Sequence, residues 1–103
     1  MIIAFDIDGT LITYQDKPRW DIIELVKILS KYHTVIAWSG GGQDYTESWI
    51  RRLFLQDYIT GCYSKPIGDT EMTIQGELVD PRKYVDISFD DEMVDLAKIN
   101  IKI

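Results

Sequence analysis

The 103-residue chain holds a single cysteine, Cys62, and a single histidine, His33. One thiol excludes any intrachain disulfide framework and any thiolate zinc cluster, and it suits a reducing compartment. Neither residue has a partner group for a nucleophilic triad or a metal site. Both read as structural, His33 at a strand edge and Cys62 within a strand. Basic residues are also in short supply: Lys plus Arg number 11 against 17 Asp plus Glu, for a net charge of −6 and a pI near 4.6. That balance makes the surface a poor general attractor for nucleic acid or an anionic membrane. No apolar run approaches the roughly 18 residues of a membrane span. Met1–Phe5 is apolar but short, lacks a basic flank and meets Asp6 at once, so no signal peptide is visible. These absences predict a cytoplasmic protein with no membrane partner.

What the chain does have is enough apolar sequence for one core. At 46% hydrophobic and 27% charged residues, a chain of this length buries somewhat over ~60% of its unfolded surface. Residues 1–103 are expected to form one domain, with no room for a separate substrate lid and no repeat, low-complexity tract or linker. Ile2–Phe5 is apolar on both faces, as a buried parallel strand requires. Ile22, Val26 and Leu29, with Ile23 and Leu25 beside them, keep a helical period from about Pro18 to Lys31, with Pro18 in the first turn. Thr34–Trp38 is a second buried strand, rich in β-branched residues. Tyr45, Trp49 and Leu53, with Ile50 and Phe54, mark a helix from about Gln43 to Gln56. Tyr58–Tyr63 reads as a third strand and Tyr84–Phe89 as a fourth, with Val85, Ile87 and Phe89 on one face. A short helix over Glu92–Lys98 and a strand over Ile99–Ile103 close the pattern. Pro66–Arg82 is irregular, with a small hairpin over Thr73–Val79 turning near Gly76. The alternation predicts a single Rossmann-like three-layer α/β domain, with a parallel sheet of about five strands.

In such a sheet every strand delivers its carboxyl end to one edge, where ligands bind. Asp6-Ile7-Asp8-Gly9-Thr10 leaves the first strand, and Ser39 with Gly40–Gly42 leaves the second. Ser64-Lys65-Pro66 follows the third, and Asp90-Asp91 the fourth. Four carboxylates, a hydroxyl, a glycine-rich amide nest and an ammonium are thus predicted to converge. Phosphoryl transfer needs such a set. Clustered carboxylates call for a cation, and hard oxygen ligands select Mg²⁺. The cation cancels the charge that would push a phosphate away from a carboxylate nucleophile. The hydroxyl, backbone N–H groups and lysine serve the phosphoryl oxygens.

Each piece alone has a plainer explanation. A D-x-D after an apolar run is usually a solvated turn, and Asp8-Gly9 also fits a hairpin. A calcium loop is excluded by register, since its glycine is the sixth residue whereas Gly9 is fourth from Asp6. The glycine run is not a P-loop, because no Lys-Ser/Thr follows it. Lys65 alone reads as a surface lysine, and Asp90-Asp91 as a helix cap and first turn. It is the ordered series, each piece following a strand, that argues against coincidence.

In that order the residues resemble the haloacid dehalogenase-like superfamily, whose members are mostly phosphatases. The resemblance runs from Ile2 to about Lys98. It is carried by Asp6-Ile7-Asp8-Gly9-Thr10 with Leu11 after it, by Val35-Ile36-Ala37-Trp38-Ser39-Gly40, by Lys65-Pro66 and by Asp90-Asp91. It implies that Asp6 is the nucleophile of an aspartyl-phosphate intermediate and that Asp8 is the general acid and then the general base. It implies Mg²⁺ on the Asp6 carboxylate, the Asp8 carbonyl and Asp90, with Asp91 acting through water or by orienting Lys65. Thr10 would help position Asp8, and Thr10, Ser39, the Gly40 N–H and Lys65 form the phosphate-binding set. A spaced version of the last motif, Asp91 with Asp95, also occurs in the family; Asp90-Asp91 is preferred, with Asp95 on a helix surface.

The resemblance leaves the substrate open. Caps are inserted after the first motif or between the second and third, and Thr13–Arg19 and Gly40–Tyr63 are too short for one. An uncovered site suits a nucleic acid end, as in the phosphatase part of polynucleotide kinases, or a phosphoprotein. A sugar phosphate or nucleotide fits if a second copy closes the site. Lys17, Arg19, Arg51 and Arg52 are the basic residues available to a nucleic acid substrate. Tyr14, Trp20 and Tyr63 would stack on bases if exposed near the mouth; core packing is their expected role. Two other classes stand beside the phosphatase. A receiver-like phosphoacceptor domain is disfavoured by motif order, and an inactive phosphate-binding module is disfavoured by the intact Asp8.

Overall fold

A computed structural model describes residues 1–66 and 71–103. Its centre is a five-stranded parallel sheet of β1 (Ile2–Asp6), β2 (Thr34–Ser39), β3 (Gly61–Ser64), β6 (Ile87–Asp90) and β7 (Ile99–Lys102), in the order β3-β2-β1-β6-β7. The fold is the predicted Rossmann-like α/β domain. The central strand β1 is buried along almost its whole length, which its unbroken apolar run Ile2–Phe5 allows. Strand order reverses beside β1, between β1 and β6, and that crevice is where open α/β sheets take ligands.

Both long helices pack on one face of the sheet. Ile22, Ile23 and Val26 of α1 (Trp20–Ser30) and Trp49 and Ile50 of α2 (Gln43–Arg52) meet Ile3, Phe5, Val35 and Ala37. Phe5 and Phe89 stack across β1 and β6 with ring centroids 4.8 Å apart. Helix α1 begins at Trp20, after Pro18, because Pro18 is bridged to Ile12 and the Arg19 N–H bonds the Leu11 carbonyl. Helix α2 stops at Arg52, short of the predicted Gln56. Phe54 takes a positive φ of 57°, and the Leu55 and Phe54 N–H groups close onto the Ile50 and Arg51 carbonyls. That pair of bonds is a Schellman ending, here with phenylalanine in the position glycine usually holds.

The opposite face, Ala4, Ile36 and Trp38, has no long helix among the described residues. The hairpin of β4 (Met72–Ile74) and β5 (Glu77–Val79), a single helical turn α3 (Pro81–Tyr84) and the loop before β7 cover it, through Met72, Val85, Leu96 and Ala97. The hairpin turns on Gln75 and Gly76, both at positive φ (51° and 82°), as a two-residue type I′ turn requires. It lies where the sequence placed it; part of the irregular stretch, residues 67–70, is outside the described residues. Strands β3 and β6 start later than predicted, because the Tyr58 and Ile59 N–H groups turn back onto the Leu55 carbonyl and Val85 closes α3 on Pro81. Val85 therefore packs on the second face, whereas Ile87 and Phe89 pack on the first.

The predicted helix over Glu92–Lys98 is absent; the segment is a loop. Asn100 replaces helical bonding there. Its side chain accepts from the Leu96 and Ala97 N–H groups and from Ser88 Oγ, and donates to the Ala97 carbonyl, at 2.9–3.0 Å. No helix among the described residues is long and apolar enough to cross a membrane.

Candidate functional site

The carboxyl ends of β1, β2, β3 and β6 bring the predicted residues to one edge. Asp6 ends β1 one residue beyond the Phe5–Phe89 pairing, so Asp90, which ends β6, is its neighbour across the strand-order reversal. Ser39 pairs with Ser64 at the ends of β2 and β3, and the Lys65 N–H then bonds the Ser39 carbonyl at 2.8 Å. This aims the lysine back along the edge. Its ammonium lies 3.1 Å from Asp6 Oδ1 and 3.2 Å from Asp90 Oδ2.

Asp6 and Asp90 are almost fully buried. Burial, and then the nearby Asp90, push Asp6 up to about 7 although Lys65 pulls it down. Burial likewise raises Asp90 above the ordinary aspartate range, against the Glu92 N–H and Lys65. For Lys65, burial opposes the charge, but the two carboxylates outweigh it and hold the ammonium's pKa above the usual lysine value. Oxygens of Asp6, Asp90 and Asp91 lie within 4.8 Å of one another. Three carboxylates thus cluster around a single ammonium that pairs with two of them. The donor set is oxygen-only and short of positive charge, which fits a hard divalent cation.

Gly9 makes the approach of Asp91 feasible. It sits at φ 84°, and a Cβ there would run into the Asp91 carboxyl group. The same turn sends Thr10 back under the strand end, where its hydroxyl donates to Asp6 Oδ2 at 3.3 Å. Thr10 therefore holds Asp6, not Asp8 as the resemblance implied. Asp8 is held by Tyr45, whose hydroxyl donates to Oδ1 at 2.7 Å. Lys65 is bound by Asp6 and Asp90, and the Asp91 carboxylate instead accepts the Tyr14 hydroxyl. That contact raises the Tyr14 phenol to about 12. Asp95 pairs with Arg82 away from the cluster, on a loop rather than a helix.

Ser39 is buried, and its Oγ accepts the Gly41 N–H at 3.0 Å, which shapes the glycine loop in front of α2. Gly40 is exposed at the start of that loop. A cleft of ≈ 340 Å³ opens beside Lys65, between Gln43 at the start of α2 and Met72 and Thr73 of the hairpin. The N-terminus of α2 points toward this edge, so its partial positive charge favours an anion there.

Other predicted residues fall outside. Arg51 and Arg52 end α2, about 15 Å of helix away from the site, paired with Glu47 and stacked on Trp49. Arg19 is taken by the Gly9 carbonyl and Asp21. His33 meets the N-terminal amine, and Cys62 is half-buried in β3, its thiol pushed up to about 11 by burial. Tyr14 and Trp20 are 66% and 64% exposed, against the expected core packing; Tyr63 is half-buried against the second face. Tyr45, which grips Asp8, was missed as a site residue because it sits at core spacing in a helix. Tyr14 enters the sequence reading only as a base-stacking ring, and its bond to Asp91, from a loop with no pattern, is not expected there. Comparisons with protein-family models, with curated proteins and with solved structures return no match.

Proposed function

We propose that the chain is a Mg²⁺-dependent phosphomonoester hydrolase of the haloacid dehalogenase-like type, acting through an aspartyl phosphate on Asp6. The observation that carries this reading is the convergence of four strand ends on Asp6, with Lys65 bridging Asp6 and Asp90. In the first step an Asp6 oxygen bonds to phosphorus while the ester P–O bond breaks and the leaving oxygen takes a proton from Asp8. In the second, a water oxygen bonds to phosphorus, Asp8 takes its proton, and the Asp6–phosphorus bond breaks. Asp6, Asp90 and Asp91, with the Asp8 carbonyl, would hold Mg²⁺, which when bound supplies charge neutralisation between carboxylate and phosphate. Ser39 Oγ, the Gly40 N–H and Lys65 are the donors for the phosphoryl oxygens.

The substrate class is less constrained. The connections from β1 to α1 and from α2 to β3 carry no inserted domain, which fits a phosphorylated chain end or a small ester covered by a second copy. The exposed ring of Tyr14, anchored on Asp91, favours a base-bearing ester over a bare sugar phosphate.

The test is phosphate release from p-nitrophenyl phosphate with Mg²⁺. Activity is expected with the metal and a loss of at least about 10²-fold with excess EDTA. Full activity in EDTA would overturn the metal assignment, and no release from any ester in a panel of nucleotides, sugar phosphates and phosphorylated oligonucleotides would favour an inactive phosphate-binding module. Asp8→Asn is expected to leave an acid-stable phosphoenzyme that persists at least roughly tenfold longer than in the wild type. Unchanged phosphoenzyme lifetime would remove Asp8 from the proton-transfer role.

A further inference from the structure

We infer that Tyr45 is a positioning residue that orients Asp8 for proton transfer to the leaving oxygen, an inference that rests on the phosphomonoesterase reading above. Asp8 lies beyond the end of β1 and is half-exposed. Asp6 and Asp90 are pinned by Lys65, but Asp8 has no such ion pair among the described residues. Its fixed contact is the Tyr45 hydroxyl, 2.7 Å from Oδ1 and 37 residues away in sequence. With Oδ1 engaged as an acceptor, Oδ2 is the oxygen left to carry and return the proton. A free carboxyl would rotate among several orientations, and only some put a proton on the line of the breaking P–O bond.

Tyr45 is itself held on three sides, which suits it to this task. It stands in the first turn of α2, whose Thr46 hydroxyl bonds the Gly42 and Tyr63 carbonyls at 2.9 and 3.2 Å. Its ring packs on the first core face. It also lies in the notch left by Gly41, where a Cβ would sit 2.8 Å from Cδ2 and 3.0 Å from Cγ of the ring. The glycine run thereby gains a second use. It shapes the loop at Ser39 and admits the tyrosine that reaches across to Asp8.

A merely structural tie between α2 and the β1 loop would make the same hydrogen bond, so the test must read proton transfer. Substituted phenyl phosphates provide this. A p-nitrophenolate leaves readily without a proton, whereas an unsubstituted phenolate needs one. The first step, reported by kcat/KM, is measured along such a series for wild type, Tyr45→Phe and Asp8→Asn. Tyr45→Phe is expected to lose under about threefold with p-nitrophenyl phosphate and about 30-fold or more with phenyl phosphate, within the range general acids supply. Gly41→Ala, which drives a methyl group into the Tyr45 ring, is expected to steepen the dependence in the same direction. Thermal midpoints measured alongside separate this from a folding loss. An equal loss across the series, or none, overturns the inference. If Asp8→Asn steepens the dependence and Tyr45→Phe does not, the inference falls while the Asp8 role stands. If the wild type hydrolyses no member of the series, the phosphomonoesterase reading fails and takes the inference with it.

Discussion

Asp6→Asn is expected to remove at least about 10³-fold of turnover and, in the same molecule, to stabilise the metal-free fold at alkaline pH. The two effects come from one fact, that Asp6, the proposed nucleophile, is buried. Asp6 is 4% exposed and ends a strand packed on both faces. An amide there keeps the shape and can still accept the Thr10 hydroxyl, but it cannot form the acyl phosphate. The stability effect follows from its titration. The ordinary aspartate value of 3.8 applies to the unfolded chain, and burial with the Asp90 charge raises the folded value to about 7. A group whose folded pKa is raised contributes its full stability below 3.8 and loses it as pH climbs toward 7. Above that, the ionised carboxylate weighs against the fold. Asparagine is neutral throughout. Relative to wild type in EDTA, the variant should therefore gain on the order of 2 kcal/mol at pH 8 and nothing at pH 4. Adding Mg²⁺ should raise the wild-type midpoint at pH 8 and leave the variant almost unmoved. Melting curves at the two pH values, with and without metal, check this. Wild-type turnover in Asp6→Asn would remove it as nucleophile, and parallel melting curves across pH would show that its burial carries no such penalty.

The residues now at the strand ends were legible because a strand buried on both faces announces itself as a short apolar run, and the residue that breaks the run must stand at the edge. Asp6 and Ser39 are located that way; Lys65 and Asp90 follow shorter, less buried strands, the one before Asp90 marked by alternation instead. What lies around them was harder to read, since it depends on contacts distant in sequence. Tyr45 keeps helical spacing with Trp49, the pattern of a core residue, yet its hydroxyl reaches Asp8. The resemblance ties Thr10 to Asp8; the positive φ of Gly9 redirects it to Asp6. Of the covering of the second face only the hairpin was legible, through its turn at Gly76. A four-residue helix and an irregular loop carry too few positions for any period to show.

The loop over residues 92–98 gives the last expected result: Asn100→Ala should lower the thermal midpoint by about 10–20 °C, more than a surface asparagine can account for. Polar and acidic residues at Asp90-Asp91-Glu92 looked like a helix start, and the Glu92 N–H does bond Asp90 Oδ1 at 3.0 Å. The backbone that follows nevertheless turns onto the Asn100 side chain. Oδ1 accepts the Leu96 and Ala97 N–H groups and the buried Ser88 hydroxyl, while Nδ2 donates to the Ala97 carbonyl. Alanine removes both ends of this arrangement and leaves those groups unpaired beside Leu96 and Ala97, which are 6% and 3% exposed. Unpaired buried groups cost about 1–3 kcal/mol each. Water can reach some of them, so a total of about 2–3 kcal/mol is expected rather than the sum. Asn100→Asp keeps the acceptor and loses the donor, and should fall between alanine and wild type. Because the same loop begins at Asp90-Asp91, its loosening should also weaken Mg²⁺ binding several-fold, which calorimetric titration of the folded variant would detect. A midpoint within a degree or two of wild type would mean that Leu96 and Ala97 packing, and not the asparagine, shapes the loop.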